Sequence, residues 1–190
     1  MTSQRAWPST TPTAAPVTPA PAPHRTPRQT ANAAASAATA ALFAAACEAG
    51  ALVAGADDAR AAAFRAYGDA LGIAFQIADD LLDYAGDSTA TGKAVGGDLS
   101  EGKMTLPVIR SVATGEDRAF WERVVARGDL REGDLDEALA IFARHGALEA
   151  TREEALAWSA RARDALSEVA PGPLRDALID LADYVVARIS

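Results

Sequence analysis

The chain has 190 residues, 49% of them hydrophobic and 23% charged, enough to bury one core, and no apolar run reaches the length that a bilayer span needs. A net charge of −8 and an isoelectric point near 4.7 disfavour nucleic acid and anionic membranes as partners. The single cysteine, Cys47, cannot close an internal disulfide; it reads as a packing residue rather than a nucleophile, and a reducing cytoplasm suits it best.

Residues 1–30 hold seven of the ten prolines, three arginines and His24, and no acid appears before Glu48. Such a composition cannot bury enough surface to fold, so residues 1–36 are predicted to be a disordered tail, with one helical domain over 37–190. The prolines deny the tail the amphipathic helix of a transit peptide, no apolar core for secretion occurs, and Trp7 is incidental. A small-residue helix follows over 41–57. Asp57 and Asp58, after Gly55, are the expected N-terminal cap of a helix over 59–67 that continues or bends at Gly68 into an acidic helix. A metal role for that pair is the weaker reading, because Arg60 follows at once.

The acidic helix, GIAFQIADDLLDYAGD, begins at Gly72. At about 100° per residue, Asp79, Asp83, Gln76 and Asp80 fall at roughly 0°, 40°, 60° and 100° around the axis and share one face. The remaining arc is Ile73, Phe75, Ile77, Leu81, Leu82 and Tyr84, so the helix is predicted to be buried nearly all round, with its carboxylates lining an internal cleft. No basic residue lies between Arg65 and Lys93, and like charges taken out of water are costly unless a cation joins them. Oxygen-only ligands suit a hard ion such as Mg²⁺, which keeps several waters and completes its shell with substrate phosphates. The alternative is a solvated acidic face, but that needs polar flanks, and here the flanks are Ala, Leu, Ile and Phe.

Over 86–102 the periodicity stops and five glycines occur, predicting a loop whose backbone can approach a ligand closely. Lys93 and Lys103, the only lysines in the chain, fall in or just after it, and a lysine ammonium is a compact point charge suited to a phosphate oxygen. Solubilising charge on a loop is the plainer alternative. Asp98 is either a further metal or lysine partner or a turn residue. Downstream, Thr105 to Ile109 opens a helix with Pro107 tolerated in its first turn, and Gly115 ends it. Helical spacing recurs over 116–126, 134–144, 147–169 and 173–189, with Phe120, Trp121, Phe142, Trp158 and Tyr184 expected in the core. His145, before Gly146, is expected to complement its helix's terminal carbonyls, and with His24 in the tail no nucleophilic triad can form. Neither a Gly-rich nucleotide loop nor a zinc-type Cys/His cluster occurs.

FQIADDLLDYAGD followed by TGKAVGGDLSEGKMTLPVI resembles the second aspartate-rich motif and downstream loop of the trans-polyprenyl diphosphate synthases, and ALFAAACEAGALVAGAD resembles the preceding helix of the bacterial long-chain enzymes. The resemblance runs from about Ala37 to the C-terminus. It implies an all-α bundle of the isoprenoid synthase type around a deep cavity, with two aspartate-rich motifs on facing helices that bind Mg²⁺ and an allylic diphosphate. Carried over residue by residue, Asp79, Asp80 and Asp83 would be metal ligands, Gln76 a substrate-site contact, and Lys93 and Lys103 diphosphate contacts. Asp79, Asp80 and Lys93 would act in catalysis. The first aspartate-rich motif, the basic pair after it and the Gly-Lys-Arg element that holds isopentenyl diphosphate find no match before Ala37, and Ala38 stands where the family pattern has a lysine.

The expectation is therefore a truncated bundle, about half of the family fold, whose tail stands in for the first half through a shifted reading frame or misassigned start. The implied reaction is Mg²⁺-dependent prenyl transfer from isopentenyl diphosphate to an allylic diphosphate in isoprenoid biosynthesis, weak or absent in the isolated chain. The alternative is a non-catalytic subunit or helical interaction protein that pairs with a complete synthase. The resemblance also implies a homodimer or pairing with a full-length synthase.

Overall fold

The computed structural model describes residues 27–85 and 95–189, and every regular element among them is helical. Helix α1 spans Pro27–Val53 and begins ahead of the boundary expected at residue 37. Its sequence is dominated by alanine, the strongest intrinsic helix former. Helix α2, Asp58–Ala85, starts where the sequence places a cap: the Asp57 carboxylate accepts the Arg60 N–H at 2.9 Å. It then runs through Gly68 without interruption.

Gly68 and Gly72 serve helix contact rather than a bend. A Cβ at Gly72 would lie 2.7 Å from the Ala40 Cα, and one at Gly68 would lie 2.8 Å from the Ala44 Cα, so α1 and α2 approach backbone to backbone across small residues. On its other side α2 meets α7, Ala147–Ala165, and α8, Pro173–Ala187. Tyr67, Leu71, Ala74, Ile77 and Ala78 from α2 join Ala155, Ala162, Leu166, Ala182, Val185 and Val186 in one core. The buried Tyr67 hydroxyl donates to the Leu178 carbonyl at 2.8 Å, tying α2 to α8.

A second core forms around the C-terminal end of α2. Between them, α3 (Gly97–Ser100), α4 (Leu106–Thr114), α5 (Arg118–Trp121), a π-helical turn (Glu122–Ala126) and α6 (Asp134–His145) supply Leu99, Val108, Trp121, Val124, Val125, Ile141 and Phe142. Tyr84 enters this core edge-on to Phe142 with ring centroids 5.0 Å apart, and Trp121 stacks on Phe142 at 5.6 Å. Gly115 closes α4 with φ of 77°, as its position after Thr114 predicts.

Several expectations need correction. Over 116–126 the expected helix forms from Arg118 without a break, but it widens from α to π at Glu122, and Trp121, Val124 and Val125 all reach the core. Tyr184 is exposed, because Ala182, Val185 and Val186 form the inward face of α8 and Tyr184 stands on the opposite side. His145 does not cap its own helix: its Nε2 lies 2.8 Å from the Asp117 Oδ2. Cys47 is half-buried and packs against the first core, as a packing residue should.

The outer face of α1 is apolar and uncovered, with Leu42 71% and Val53 90% exposed beside exposed Ala38, Ala41, Ala45, Ala46 and Ala49. No helix among the described residues is long and apolar enough to cross a membrane.

Candidate functional site

The acidic row lies on α2 where it passes from the first core to the second, between the buried Ala78 and the buried Tyr84. Packing at both ends fixes its rotation, so the row's direction is set by apolar contacts and not by the acids themselves. Gln76, Asp80 and Asp83 are half-buried, whereas Asp79 is exposed. The expected burial all round therefore fails at Asp79, because no described element packs over that side of α2.

Both oxygens of Asp80 are engaged. Its Oδ1 accepts from the Gln76 Nε2 at 3.2 Å, one helical turn back, and its Oδ2 accepts from the Leu106 N–H at 3.2 Å in the first turn of α4. Thr105 is the N-cap residue of α4, yet its side chain makes no capping bond; its hydroxyl instead pairs with the Tyr84 hydroxyl at 3.0 Å inside the protein. Asp80 thus satisfies one of the first-turn backbone donors of α4 that have no intrahelical partner. Burial pushes the Asp80 carboxyl up to about 6, against the two hydrogen bonds, and the charges of Asp98 and Asp79 push the same way.

Asp83 is held by the loop after α2. Its Oδ2 accepts the Asp98 N–H at 2.9 Å and its carbonyl accepts the Gly96 N–H at 2.8 Å. Burial raises its carboxyl above the ordinary range, opposed by the hydrogen bond from Asp98 and the charge of Lys103. Lys103 in turn reaches the Asp98 Oδ1 at 2.5 Å and the Glu101 Oε2 at 3.1 Å. Its hydrogen bond to Asp98 raises the ammonium above its ordinary value, so it stays charged.

The structure thus places two hydrogen-bonded sets along one stretch of α2, Gln76 with Asp80 and Asp83 with Asp98 and Lys103, leaves Asp79 exposed, and does not describe Lys93. Among the described residues no group of three His, Cys, Asp or Glu side chains is gathered to hold a metal ion. The donors present still fit a hard divalent ion, since Mg²⁺ is commonly held by one or two carboxylates plus waters and phosphate oxygens rather than by an all-protein cage. Sequence periodicity missed the buried Tyr84–Thr105 pair and the Leu106 N–H on Asp80, because contacts across more than twenty residues leave no trace in local spacing. The sequence left Asp98 as a metal or lysine partner or a turn residue, and the structure pairs it with Lys103.

Comparison with known proteins finds related sequences and folds. The family model described as polyprenyl synthetase matches residues 30–142. An octaprenyl diphosphate synthase of Haemophilus influenzae is 40% identical over 148 residues, covering 77% of this chain and 45% of that protein. Among solved structures, a decaprenyl diphosphate synthase from Rhodobacter capsulatus superposes with a TM-score of 0.75 at 52% identity, over 80% of this chain and 47% of that one. A polyprenyl synthase from Caulobacter crescentus, complexed with calcium and isoprenyl diphosphate, gives 0.74 at 43% identity, over 82% and 48%. The chain spans about half the length of the curated relatives it matches.

Proposed function

The chain belongs to the polyprenyl synthetase family, and from that membership we propose that its acidic row and adjoining lysines form the metal and diphosphate side of a prenyl-transfer site. The observation that carries this reading is the joining of the acidic row to a charged lysine: the half-buried Asp83 carboxylate, three residues on from Asp80 along α2, is linked through Asp98 to Lys103. Anionic groups alone would repel a diphosphate. Carboxylates that hold a divalent ion, with an ammonium beside them, would attract one.

Asp79, Asp80 and Asp83 would ligate Mg²⁺, Gln76 would orient Asp80, and Lys93 and Lys103 would contact diphosphate oxygens. The substrates would be an allylic diphosphate and isopentenyl diphosphate. When bound, the metal would supply positive charge where the departing diphosphate gathers negative charge. In the reaction, the allylic C–O bond breaks with its electron pair going to the diphosphate, the isopentenyl double bond forms the new C–C bond, and one proton is lost. The aspartates and lysines here would hold the leaving group, while Tyr84 and the second core fix the helix that carries them.

A second acidic cluster, the other half of the clamp, has no counterpart among the motifs of this sequence, so the isolated chain is expected to bind diphosphate but to elongate poorly. The uncovered face of α1 supports association with a second copy or with a complete synthase. Titration calorimetry of the purified chain with Mg²⁺ and pyrophosphate tests the reading. Joint uptake supports it; a folded sample that takes up neither overturns it, and efficient elongation of an allylic diphosphate by the chain alone overturns the expectation of weak activity.

A further inference from the structure

Asp98 makes three contacts that together span the candidate site. Its backbone N–H donates to the Asp83 Oδ2 at 2.9 Å, its backbone carbonyl accepts the Lys103 N–H at 2.9 Å, and its Oδ1 accepts from the Lys103 Nζ at 2.5 Å. Gly102, with φ of 66°, makes the turn that folds Lys103 back over Asp98. The Asp98 side chain is only 14% exposed, unlike the partners of an ordinary surface ion pair.

An ammonium has three N–H donors. Asp98 takes one, the Glu101 Oε2 at 3.1 Å takes a second, and among the described residues the third meets no acceptor. We propose that Asp98 is a positioning residue: it fixes the Lys103 ammonium with one proton free for a phosphate oxygen and ties that lysine to Asp83, so the metal side and the phosphate side of the site move as one piece. The proposal rests on the diphosphate reading above and goes beyond it by assigning the loop carboxylate a role that is neither metal ligand nor turn former. Lysine side chains lose much rotamer freedom when they are ordered, so a lysine already held costs less to dock on phosphate.

The chain has two lysines, so a sample labelled at lysine Cε and Nζ gives two sets of ammonium signals, assigned with Lys103→Ala. In the unmutated protein the Lys103 signal is expected to be motionally restricted, to become mobile in Asp98→Asn, and to shift on adding Mg²⁺ with pyrophosphate. Asp98→Asn and Lys103→Ala should each weaken pyrophosphate uptake about tenfold, the effect of one charge-assisted hydrogen bond, and the double variant should be no weaker than Lys103→Ala alone. If Asp98→Asn does not fold, Glu101→Gln removes the second holder without touching the bond to Asp83 and should loosen Lys103 in part. A Lys103 signal that is mobile in the unmutated protein overturns the proposal. So does further weakening by Asp98→Asn in the Lys103→Ala background, which would make Asp98 a ligand in its own right. A chain that binds pyrophosphate while the Lys103 signal stays unmoved overturns the positioning role and spares the diphosphate reading; no uptake at all overturns both.

Discussion

Replacing Asp80 by Asn should stabilise the metal-free protein while destroying what the site is for. Burial lifts the Asp80 carboxyl from the ordinary 3.8 to about 6, so at neutral pH the fold carries an ionised group that it would rather keep protonated. At about 1.4 kcal/mol per pKa unit, that difference amounts to about 3 kcal/mol. The sign follows from proton counting: between about pH 4 and 6 the folded chain binds more protons at this site than the unfolded chain, so stability falls as pH rises through that window. Asp80→Asn keeps the size and an acceptor for the Leu106 N–H but cannot ionise. Urea unfolding of both proteins should therefore coincide most closely near pH 4 and diverge as pH rises, until the variant is more stable by about 3 kcal/mol above pH 7. Mg²⁺ with pyrophosphate should stabilise the unmutated protein and leave the variant unchanged. A stability difference that stays constant from pH 4 to 8 would refute the argument, since it would show that the carboxyl is not strained by burial.

Three further substitutions probe the frame around the site. Gly68→Ala puts a Cβ 2.8 Å from the Ala44 Cα, and the overpacking should cost about 2 kcal/mol despite alanine's better helix propensity, seen as a lowered thermal midpoint. Tyr84→Phe leaves the buried Thr105 hydroxyl without the partner it meets at 3.0 Å and should cost about 1–2 kcal/mol in urea unfolding, with weaker pyrophosphate uptake because α4 is less firmly held beside Asp80. Arg123→Met removes a two-pronged pair to Asp134, both contacts at 2.7 Å, and should destabilise the fold at neutral pH, seen as a lowered urea midpoint. Because Arg123 holds the Asp134 carboxyl down at about 2, that loss should shrink as pH falls from about 4 through 2, below which the carboxyl is protonated in both states. A loss independent of pH over that range would count against the pair.

The helices were legible because their signals are local. The Asp57 cap, the Pro107 entry and the Gly115 stop are each a short-range preference of the backbone, and each appears where the sequence places it. The acidic face was legible for the same reason, since its residues lie within a single helix. What the sequence could not carry is the environment of that face. The exposure of Asp79 depends on which elements lie over α2, and Tyr184 turned outward because the inward positions of α8 were already occupied by smaller residues that fit closer. At Gly68 the sequence left continuation and a bend both open, because close approach between two helices and a break within one both call for glycine, and the position of Ala44 decides for continuation.

Asp80 and Asp83 also show why a metal-free acidic row can stay folded without a cage of cations. Each carboxylate accepts a backbone N–H from a different segment, Leu106 of α4 for one and Asp98 of α3 for the other. These donors replace part of the hydration lost on burial but do not neutralise charge, which is why both carboxyls remain raised rather than lowered. A divalent ion would relieve that strain and would compete with Leu106 N–H and Asp98 N–H for the same oxygens. On the proposed function, metal capture would consequently be linked to the anchoring of α3 and α4. Amide exchange at Leu106 and Asp98 should change on Mg²⁺ and pyrophosphate binding, while the amides of Tyr67 and Leu71, deep in the first core, should not; equal response at all four would mean that the ion tightens the whole fold and does not act through the acidic row.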